Sequence, residues 1–323
     1  MWKNNKITSI GIDSESEIMT FATSKDLIKL SNITDRIIPF GYGSNSVIWD
    51  KCILVQQAEK YSIRDENGYI TVEASAGTEL GKIVYEAVMR EVDSEIVHLA
   101  GIPGTLGGAI VQNSGVFGHT IFDYLVSVAC WDNVQRCEVC LGNKECQPSH
   151  RSSIFIKEPS RYIILSATLN LPSSKNPNVK ALYSSVLSKR AQSFPSPYDE
   201  PSSGSMFLSC LPVGWEIAKL LPSGKIVDLK NGQYRISPGV IFEALGLKGN
   251  FITKNLYLSK NHGNFLCNNG EATSREWFEA VSKLAEIADK NFGIRLSPEV
   301  NVIGNSIPSY VKALCRCREG YKI

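Results

Sequence analysis

A glycine-rich stretch from Leu99 to Gly118 constrains the fold of this chain more than any other segment. It contains six glycines and one proline, and the residues between them are largely apolar. Because glycine has no Cβ and tolerates positive φ, the backbone of such a run can lie close against a flat or charged ligand. Its amides are then available to form a concave anion site. Taken alone, the stretch is equally typical of a buried turn between core strands.

A second glycine cluster, Gly41-Tyr-Gly-Ser-Asn45, favours the ligand-binding interpretation. It follows one apolar segment and precedes another, so it joins two predicted strands. Two such clusters in one chain indicate a site where backbone approaches a ligand closely.

Together the two clusters resemble the flavin-binding loops of the UDP-N-acetylenolpyruvoylglucosamine reductase family. That family carries G-x-G-S-N in its first subdomain and G-I-P-G-T-x-G-G-x-x-x-Q-N-x-G-x-x-G in its second. The second motif is matched here without a gap. The resemblance assigns flavin binding to Gly41, Gly43, Ser44, Asn45, Gly101, Ile102, Pro103, Gly104, Thr105, Gly107, Gly108, Gln112, Asn113, Gly115 and Gly118.

The resemblance spans residues 7–304 and implies an α+β fold. The expected architecture is a two-part FAD-binding domain of the vanillyl-alcohol-oxidase-like type, followed by an α+β substrate-binding domain. Pro172-Ser-Ser-Lys-Asn-Pro177 is typical of a linker. The predicted limits are 1–56 and 57–172 for the two FAD-binding subdomains, 173–304 for the substrate domain and 305–323 for a tail.

Helix signals occur at several points of the chain. Ser24 is placed to cap a short helix inside a strand–helix–strand start over residues 7–38. Thr78 is placed to cap a helix with a one-sided apolar stripe. Thr273-Ser-Arg-Glu276 is a capping box, and Gly293 is placed to end the helix that follows it.

Strand signals dominate the middle of the chain. Asn67-Gly68 is the turn signal of a hairpin over residues 61–76. Enrichment in β-branched and aromatic residues predicts further strands over residues 124–131, 134–140 and 162–171. A helix is predicted over residues 181–192.

Three further motifs resemble those that carry the family's chemistry. Arg151 lies in His-Arg-Ser-Ser-Ile-Phe, Ser205 in Gly-Ser-Met-Phe, and Glu299 in Phe-Gly-Ile-Arg-Leu-Ser-Pro-Glu-Val. The resemblance implies that Arg151 and Glu299 stabilise an enol intermediate and that Ser205 donates a proton. Taken singly, Arg151 is more typical of a surface or salt-bridging arginine, Ser205 of a turn residue and Glu299 of a solvated glutamate. The joint occurrence of the three motifs with the two glycine clusters favours the catalytic interpretation.

The implied reaction explains why these residue types are needed. It is the reduction of UDP-N-acetylglucosamine enolpyruvate to UDP-N-acetylmuramate, with noncovalently bound FAD and with NADPH as the electron donor. Negative charge builds on the enolpyruvyl carboxylate, and a fixed guanidinium stabilises it through paired hydrogen bonds. The adjacent carbon then needs a proton, which a serine hydroxyl donates if a neighbouring glutamic acid compensates the alkoxide.

Substrate contacts are assigned by the resemblance to Tyr183, Arg190 and His262. His262 is equally compatible with a purely structural role. The family usually has a lysine that contacts the substrate diphosphate, where this chain has Ser193. Leu208 also departs from the family pattern. Both departures concern recognition of the diphosphate, and they leave the residues of the predicted redox centre unchanged.

Composition limits the partners of the chain. A net charge of +2 without a basic run gives no indication of nucleic-acid binding. No run approaches the roughly 18 apolar residues of a membrane span. No signal peptide is visible at the start. We expect a cytoplasmic, monomeric enzyme whose partner is a small sugar nucleotide.

The nine cysteines are odd in number and scattered, which argues against a disulfide framework. Cys137-x-x-Cys140, with Cys146 and His150 nearby, has part of a zinc-site spacing. However, residues 134–140 are predicted as a strand, where residues three apart point to opposite faces. We predict free, buried thiols and no metal.

Two alternative functions stay open at this level. A FAD-dependent oxidase of the same fold superfamily would act on an alcohol or a sugar, without needing Ser205 and Glu299 together. It would commonly attach its flavin through a histidine, for which His119 is the nearby candidate. A non-catalytic flavin-binding paralogue is the other alternative, suggested by Ser193 and Leu208.

Overall fold

The computed structural model describes residues 6–12, 15–34, 36–66, 68–92, 95–116, 118–196, 199–208, 211–221 and 226–321. Its helices are α1 (Ser24–Ser31), α2 (Leu80–Met89), α3 (Leu106–Gln112), α4 (Ile154–Lys157), α5 (Val179–Ser193), α6 (Trp215–Ala218), α7 (Pro238–Ala244), α8 (Ser274–Phe292) and α9 (Ser309–Lys312). Short 3-10 helices cover Glu95–Leu99 and Ile121–Asp123.

The strands fall in every part of the chain. They are β1 (Glu17–Phe21), β2 (Ile38–Pro39), β3 (Ser46–Ile48), β4 (Ile53–Gln57), β5 (Tyr61–Glu66), β6 (Tyr69–Ser75), β7 (Gly115–Val116), β8 (His119–Thr120), β9 (Leu125–Asp132), β10 (Cys137–Gly142), β11 (Tyr162–Pro172), β12 (Ser202–Ser205), β13 (Leu211–Gly214), β14 (Val227–Asp228), β15 (Gln233–Ile236), β16 (Leu256–Leu258), β17 (Phe265–Asn268), β18 (Asn301–Gly304) and β19 (Arg316–Glu319).

The chain forms two compact units, each assembled from separate segments. The first, called here the Gly101 unit, comprises Ser16–Tyr42, Cys52–Arg190 and Glu319–Ile323. A five-stranded antiparallel sheet, β10-β9-β11-β6-β5, and a parallel sheet, β1-β4-β2, build it. The apolar stripe of α2 and the inward face of α3 join the side chains of the larger sheet in one hydrophobic core. This burial is the main force holding the unit together.

The second, called the Ser205 unit, comprises Met1–Glu15, Gly43–Lys51 and Ala191–Arg318. It contains three small sheets, β12-β17-β16, β13-β15-β14 and β19-β18-β3. Its core includes the fully buried Trp277 of α8 and Phe207, which follows β12. The segment that carries Ser205 is thereby fixed to a packed interior.

The predicted helices form, with corrections at two caps. Thr23, not Ser24, caps α1, accepting a hydrogen bond from the Asp26 N–H. Thr78 does not cap α2, because its buried hydroxyl donates to the carbonyl of Lys60 instead. Thr273 accepts a hydrogen bond from the Glu276 N–H as predicted, and Gly293 ends α8 in the left-handed conformation.

The predicted strands also form, and residues 61–66 and 69–75 pair as the expected hairpin. Asn67, the first residue of its turn signal, lies outside the described residues. The strand predicted from residue 134 begins at Cys137, because residues 133–136 form the preceding turn. The eight cysteines within the described part of the chain are free. The prediction that the thiols are buried is wrong for three of them. Cys137 and Cys140 are exposed, since β10 is an edge strand, and Cys317 is only partly buried.

Pro172, the first residue of the predicted linker, ends β11, and the chain passes from the Gly101 unit to the Ser205 unit after Arg190. The domain limits predicted from the sequence divide the chain by the ligand that each segment binds. That division stays a prediction. Within the described residues, no helix is long and apolar enough to cross a membrane.

Candidate active site

The first glycine cluster begins in the Gly101 unit, where Gly41 lies close to the second cluster. A Cβ on Gly41 would lie 2.7 Å from the Thr105 hydroxyl oxygen, so any larger residue would collide with it. The carbonyl of Gly41 accepts a hydrogen bond from the Gln56 amide at 2.9 Å. Residues 64 positions apart in the sequence are thus brought together, as expected for two loops that bind one ligand.

The rest of this cluster, Gly43 to Asn45, belongs to the Ser205 unit. Gly43 has a φ of 65°, and its carbonyl accepts a hydrogen bond from the Ser9 N–H at 3.1 Å. A Cβ on Gly204 would lie 3.9 Å from the Ser44 carbonyl oxygen. The structure therefore brings Ser44 next to the Gly-Ser motif that contains Ser205.

Asn45 is connected to the Glu299 segment. Its side-chain amide donates to the carbonyl of Glu299 at 3.5 Å. Its own carbonyl accepts hydrogen bonds from the backbone and side-chain N–H groups of Asn301, at 3.1 and 3.2 Å. A predicted flavin-binding residue and a predicted catalytic residue are thus held together by this network.

The long glycine stretch contains a helix, α3, that was not among the predicted elements. Thr105 caps α3 and accepts a hydrogen bond from the Gly108 N–H at 3.3 Å. Gly107 donates to the carbonyl of Ala76 at 2.9 Å, and a Cβ on Gly107 would lie 2.8 Å from the Ala76 Cβ. Gly107 therefore allows α3 to pack closely against Ala76, the residue after β6. The signal available in the sequence was Thr105 before the apolar run that starts at Leu106.

Before α3, the stretch turns at Gly101 and Gly104, whose φ values are 72° and 118°. Between them, Ile102 packs partly against the core and donates its N–H to Leu99 at 3.2 Å, and Pro103 is exposed. The φ at Gly101 and Gly104 explains why glycine occupies these two positions.

The residues at and after the end of α3 show whether the predicted flavin site could accommodate a ligand. Gln112 and Asn113 are buried, and Asn113 ends the helix with a φ of 45°. The Asn113 amide nitrogen donates to Ser149, whereas its buried Oδ1 has no hydrogen-bond partner among the described residues. A Cβ on Gly118 would meet no atom of those residues within 4 Å. A buried acceptor without a partner among the described residues and the open backbone at Gly118 each fit a flat ligand with polar edges.

Gly115 has a different role from Gly118. A Cβ at this position would lie 2.4 Å from the carbonyl oxygen of His119, across the β7–β8 pair. Gly115 is therefore required by the fold of the hairpin itself.

Arg151 is bound to the backbone of the glycine stretch. Its Nη1 donates to the Asn113 carbonyl at 3.2 Å and its Nη2 to the Gly115 carbonyl at 2.7 Å. Arg151 also has a φ of 51°, an uncommon backbone conformation for arginine. These contacts fix the plane of a half-buried guanidinium beside the predicted flavin loop.

Ser205 and Glu299 lie on neighbouring extended segments of the Ser205 unit. Ser205 ends β12, after Gly204 with a φ of 80°. The Glu299 N–H donates to the carbonyl of Met206, the residue after Ser205, at 2.9 Å. Glu299 is buried, at 9% exposure. The backbone thus brings the predicted proton donor and the predicted acid into one region.

Asn264 is a positioning residue that the sequence analysis did not identify. Its side chain accepts from the Phe207 N–H at 3.1 Å and donates to the Phe207 carbonyl at 2.9 Å. Asn264 is 1% exposed, so both bonds are shielded from water. It fixes the backbone two residues beyond Ser205. Asn264 follows a polar segment, residues 259–263, so no local pattern in the sequence distinguished it.

The substrate candidates fall in both units. In the Gly101 unit, Tyr183 packs edge-on against Tyr85 with ring centroids 6.4 Å apart. A Cβ on Gly101 would lie 3.1 Å from the Cδ and Nε atoms of Arg190. Burial lowers the pKa of this arginine from its ordinary value. Arg190 therefore packs directly on the glycine stretch.

His262, in the Ser205 unit, lies between two aromatic rings. It stacks on Phe194 at 5.4 Å and meets Phe265 edge-on at 4.9 Å. Its Nδ1 accepts from the Asn264 N–H at 3.2 Å, so the neutral ring carries its proton on Nε2. These contacts give His262 a structural role, whatever it contributes to substrate binding.

Comparison with known proteins places these features in a family. Residues 196–303 match the model of the C-terminal domain of UDP-N-acetylenolpyruvoylglucosamine reductase. The reductase of that name from Aquifex aeolicus is 30% identical over 296 residues, covering 88% of this chain and 89% of the relative. The one from Caldanaerobacter subterraneus is 28% identical over 307 residues, covering 92% of this chain and 90% of the relative.

A solved structure shows the fold. The crystal structure of UDP-N-acetylenolpyruvylglucosamine reductase from Thermus caldophilus superposes with a TM-score of 0.67 at 23% identity, covering 92% of this chain and 95% of that chain. The protein is an oxidoreductase with the predicted α+β fold. The chain belongs to the UDP-N-acetylenolpyruvoylglucosamine reductase family, as its motifs predicted.

Proposed function

We propose that this chain reduces UDP-N-acetylglucosamine enolpyruvate to UDP-N-acetylmuramate, a step of peptidoglycan precursor synthesis, with NADPH as the electron donor. Family membership supports the reaction class. The structural observation that carries the proposal is the binding of Arg151 to the carbonyls of Asn113 and Gly115. It joins a predicted catalytic group to the predicted flavin loop.

FAD would be held noncovalently by the two glycine clusters. The close approach of Gly41 to Thr105 and the unpaired Oδ1 of Asn113 among the described residues support this assignment. Bound FAD would supply hydride transfer from NADPH to the substrate. Side chains of the protein would stabilise the developing charge and donate the proton.

Arg151 would stabilise the charge that builds on the substrate carboxylate. Its guanidinium is fixed in one plane by two backbone carbonyls, so little reorganisation is needed as charge develops. Ser205 would donate the proton to the substrate carbon. The buried Glu299, on the segment bonded to Met206, would compensate the alkoxide that Ser205 becomes.

Tyr183, Arg190 and His262 are the proposed substrate contacts. Arg190 offers a cation in a partly desolvated setting, which strengthens its attraction for phosphate. Ser193, where the family usually has a lysine, is exposed at the end of α5. Arg190 would therefore supply the positive charge for the diphosphate. We further propose a cytoplasmic monomer.

The test separates this proposal from its alternatives. The purified protein, loaded with FAD, is mixed anaerobically with NADPH and then with the enolpyruvyl sugar nucleotide. We expect bleaching of the flavin absorbance in the first step and its return in the second. Bleaching without return would indicate a non-catalytic paralogue. Flavin that stays with acid-precipitated protein, attached through His119 or another residue, would favour an oxidase.

A further inference from the structure

Glu95, His98 and His119 form a cluster that the proposed reaction does not use. All three belong to the Gly101 unit, the first two on the 3-10 helix Glu95–Leu99 and the third on β8. Their ligand atoms lie within 4.8 Å of one another. The side chains of His98 and His119 are 20% and 32% exposed, and Glu95 is 62% exposed, so an ion can reach them from solvent.

The geometry of the cluster is that of side chains converging on one point. The two imidazole rings are stacked, with centroids 4.9 Å apart and planes inclined by 10°. Their Nε2 atoms face the same carboxylate oxygen, Glu95 Oε2, at 2.8 Å for His98 and 3.6 Å for His119. Each residue therefore presents one donor atom to a shared space.

These distances match a tetrahedral centre. Bonds of about 2.0–2.1 Å from a zinc ion to nitrogen or oxygen place neighbouring ligand atoms about 3.3 Å apart. The measured separations of 2.8 and 3.6 Å lie on either side of that value, so small side-chain rotations suffice. The ion would replace the proton between His98 Nε2 and Glu95, as ligands must be deprotonated to bind.

The surroundings also favour a cation. Glu95 and His119 line a cavity of about 390 Å³ that also includes Asp123. The described residues that line it contain two carboxylates and no lysine or arginine. The cavity leaves room for a fourth ligand, such as water.

We propose that Glu95, His98 and His119 bind one divalent transition-metal ion of the zinc type. Two imidazoles and one carboxylate suit zinc, cobalt or nickel, whereas magnesium prefers oxygen ligands alone. The bound ion would join the Glu95–Leu99 helix to the β7–β8 hairpin, which begins at the end of the glycine stretch. This site does not depend on the proposed reductase activity.

Calorimetric titration with ZnCl₂ tests the site in the 323-residue chain, freed of metal by chelation and with its accessible thiols alkylated. We expect one zinc ion per chain and a raised melting temperature. Both Glu95→Gln and His119→Gln should weaken binding by about tenfold or more, since each removes a ligand. The matched control, His150→Gln, changes an exposed histidine outside the cluster and should bind as the parent does. Mg²⁺ should produce no binding.

Failure to bind zinc, or equal binding by the parent and both ligand variants, would overturn the site. So would a loss in His150→Gln as large as in the ligand variants. If the ligand variants fail to fold by circular dichroism, the absorption spectrum of the Co²⁺-loaded parent decides. Absorption bands of Co²⁺ bound by nitrogen ligands would support the site. The spectrum of hydrated Co²⁺ would reject it.

Discussion

The guanidinium of Arg151 donates to the carbonyl of Gly115 at 2.7 Å, 36 residues earlier in the chain. The same side chain reaches the carbonyl of Asn113 at 3.2 Å. Gly115 could not carry a Cβ without meeting His119, so the accepting backbone is itself fixed. Arg151 thus connects the stability of the glycine stretch to the chemistry proposed for it.

Replacing Arg151 by lysine tests this connection. A single ammonium cannot bridge two carbonyls as a planar guanidinium does. Loss of one charge-assisted hydrogen bond is worth about 1.5 kcal/mol, so FAD affinity should fall about tenfold in Arg151→Lys. Fluorescence titration with FAD measures it. The control is Arg136→Lys, an exposed arginine with a similar φ of 56°. Equal affinities in both variants would show that the guanidinium contacts are irrelevant to the loop.

Substituting Ser205 tests the proposed proton transfer. In the proposed mechanism, reduction of the flavin by NADPH does not involve the Ser205 hydroxyl, whereas protonation of the substrate does. Ser205→Ala should keep the rate of flavin bleaching and lose about 10²–10⁴-fold in substrate turnover. Stopped-flow absorbance separates the two half-reactions, with the exposed Ser184→Ala as the control. An equal fall in both half-reactions would give Ser205 a structural role instead. If neither falls, His262 becomes the next candidate for the acid.

Because Arg190 packs on Gly101, we expect the stability losses caused by substituting these two residues to be non-additive. Gly101→Ala must adopt a φ of 72° and places its Cβ 3.1 Å from Arg190 and from Leu187. We expect the free energy of unfolding to fall by about 2 kcal/mol. Arg190→Ala removes part of the clash, so the double variant should lose less than the sum of the single losses. Urea unfolding measures all four proteins.

Gly118→Ala is the matched control for that cycle. It has a φ of 92°, but its Cβ meets no described atom within 4 Å. Its loss should be about 1 kcal/mol, the backbone cost alone, and independent of Arg190. Additive losses at Gly101 and Arg190 would contradict the contact.

The lowered pKa of Asp132 predicts that the protein loses stability at acidic pH. Burial raises its pKa, but hydrogen bonds from Arg161, Gln135 and Val134 outweigh burial and hold the pKa below the ordinary 3.8. Because the folded pKa is lowered, the stabilisation is complete above the ordinary value and is lost as pH falls through the folded value.

Asp132→Asn should therefore be about 2 kcal/mol less stable than the parent at pH 7, and the gap should close below pH 3.8. Urea unfolding across this pH range measures the difference, with the exposed Asp65→Asn as the control. A gap that stays constant with pH would show that the Asp132 charge does not contribute.

Local sequence determined the elements whose signals are contiguous. The apolar stripe of α2 is buried at each predicted position, from Leu80 to Val88. Thr273 and Gly293 bound α8 as expected, because caps act within one turn of backbone. The two glycine motifs identified the family, since their spacing is fixed within short segments.

Tertiary structure decided which of these segments meet. The approach of Gly41 to Thr105 and the two hydrogen bonds between Asn264 and Phe207 join residues far apart in the chain. No periodicity encodes such pairs, because they depend on how whole elements pack. The carboxylate of Glu276 shows both levels at once. Its backbone N–H binds Thr273 as the local motif predicts, while its side chain binds Thr253 and Asn255 across the fold.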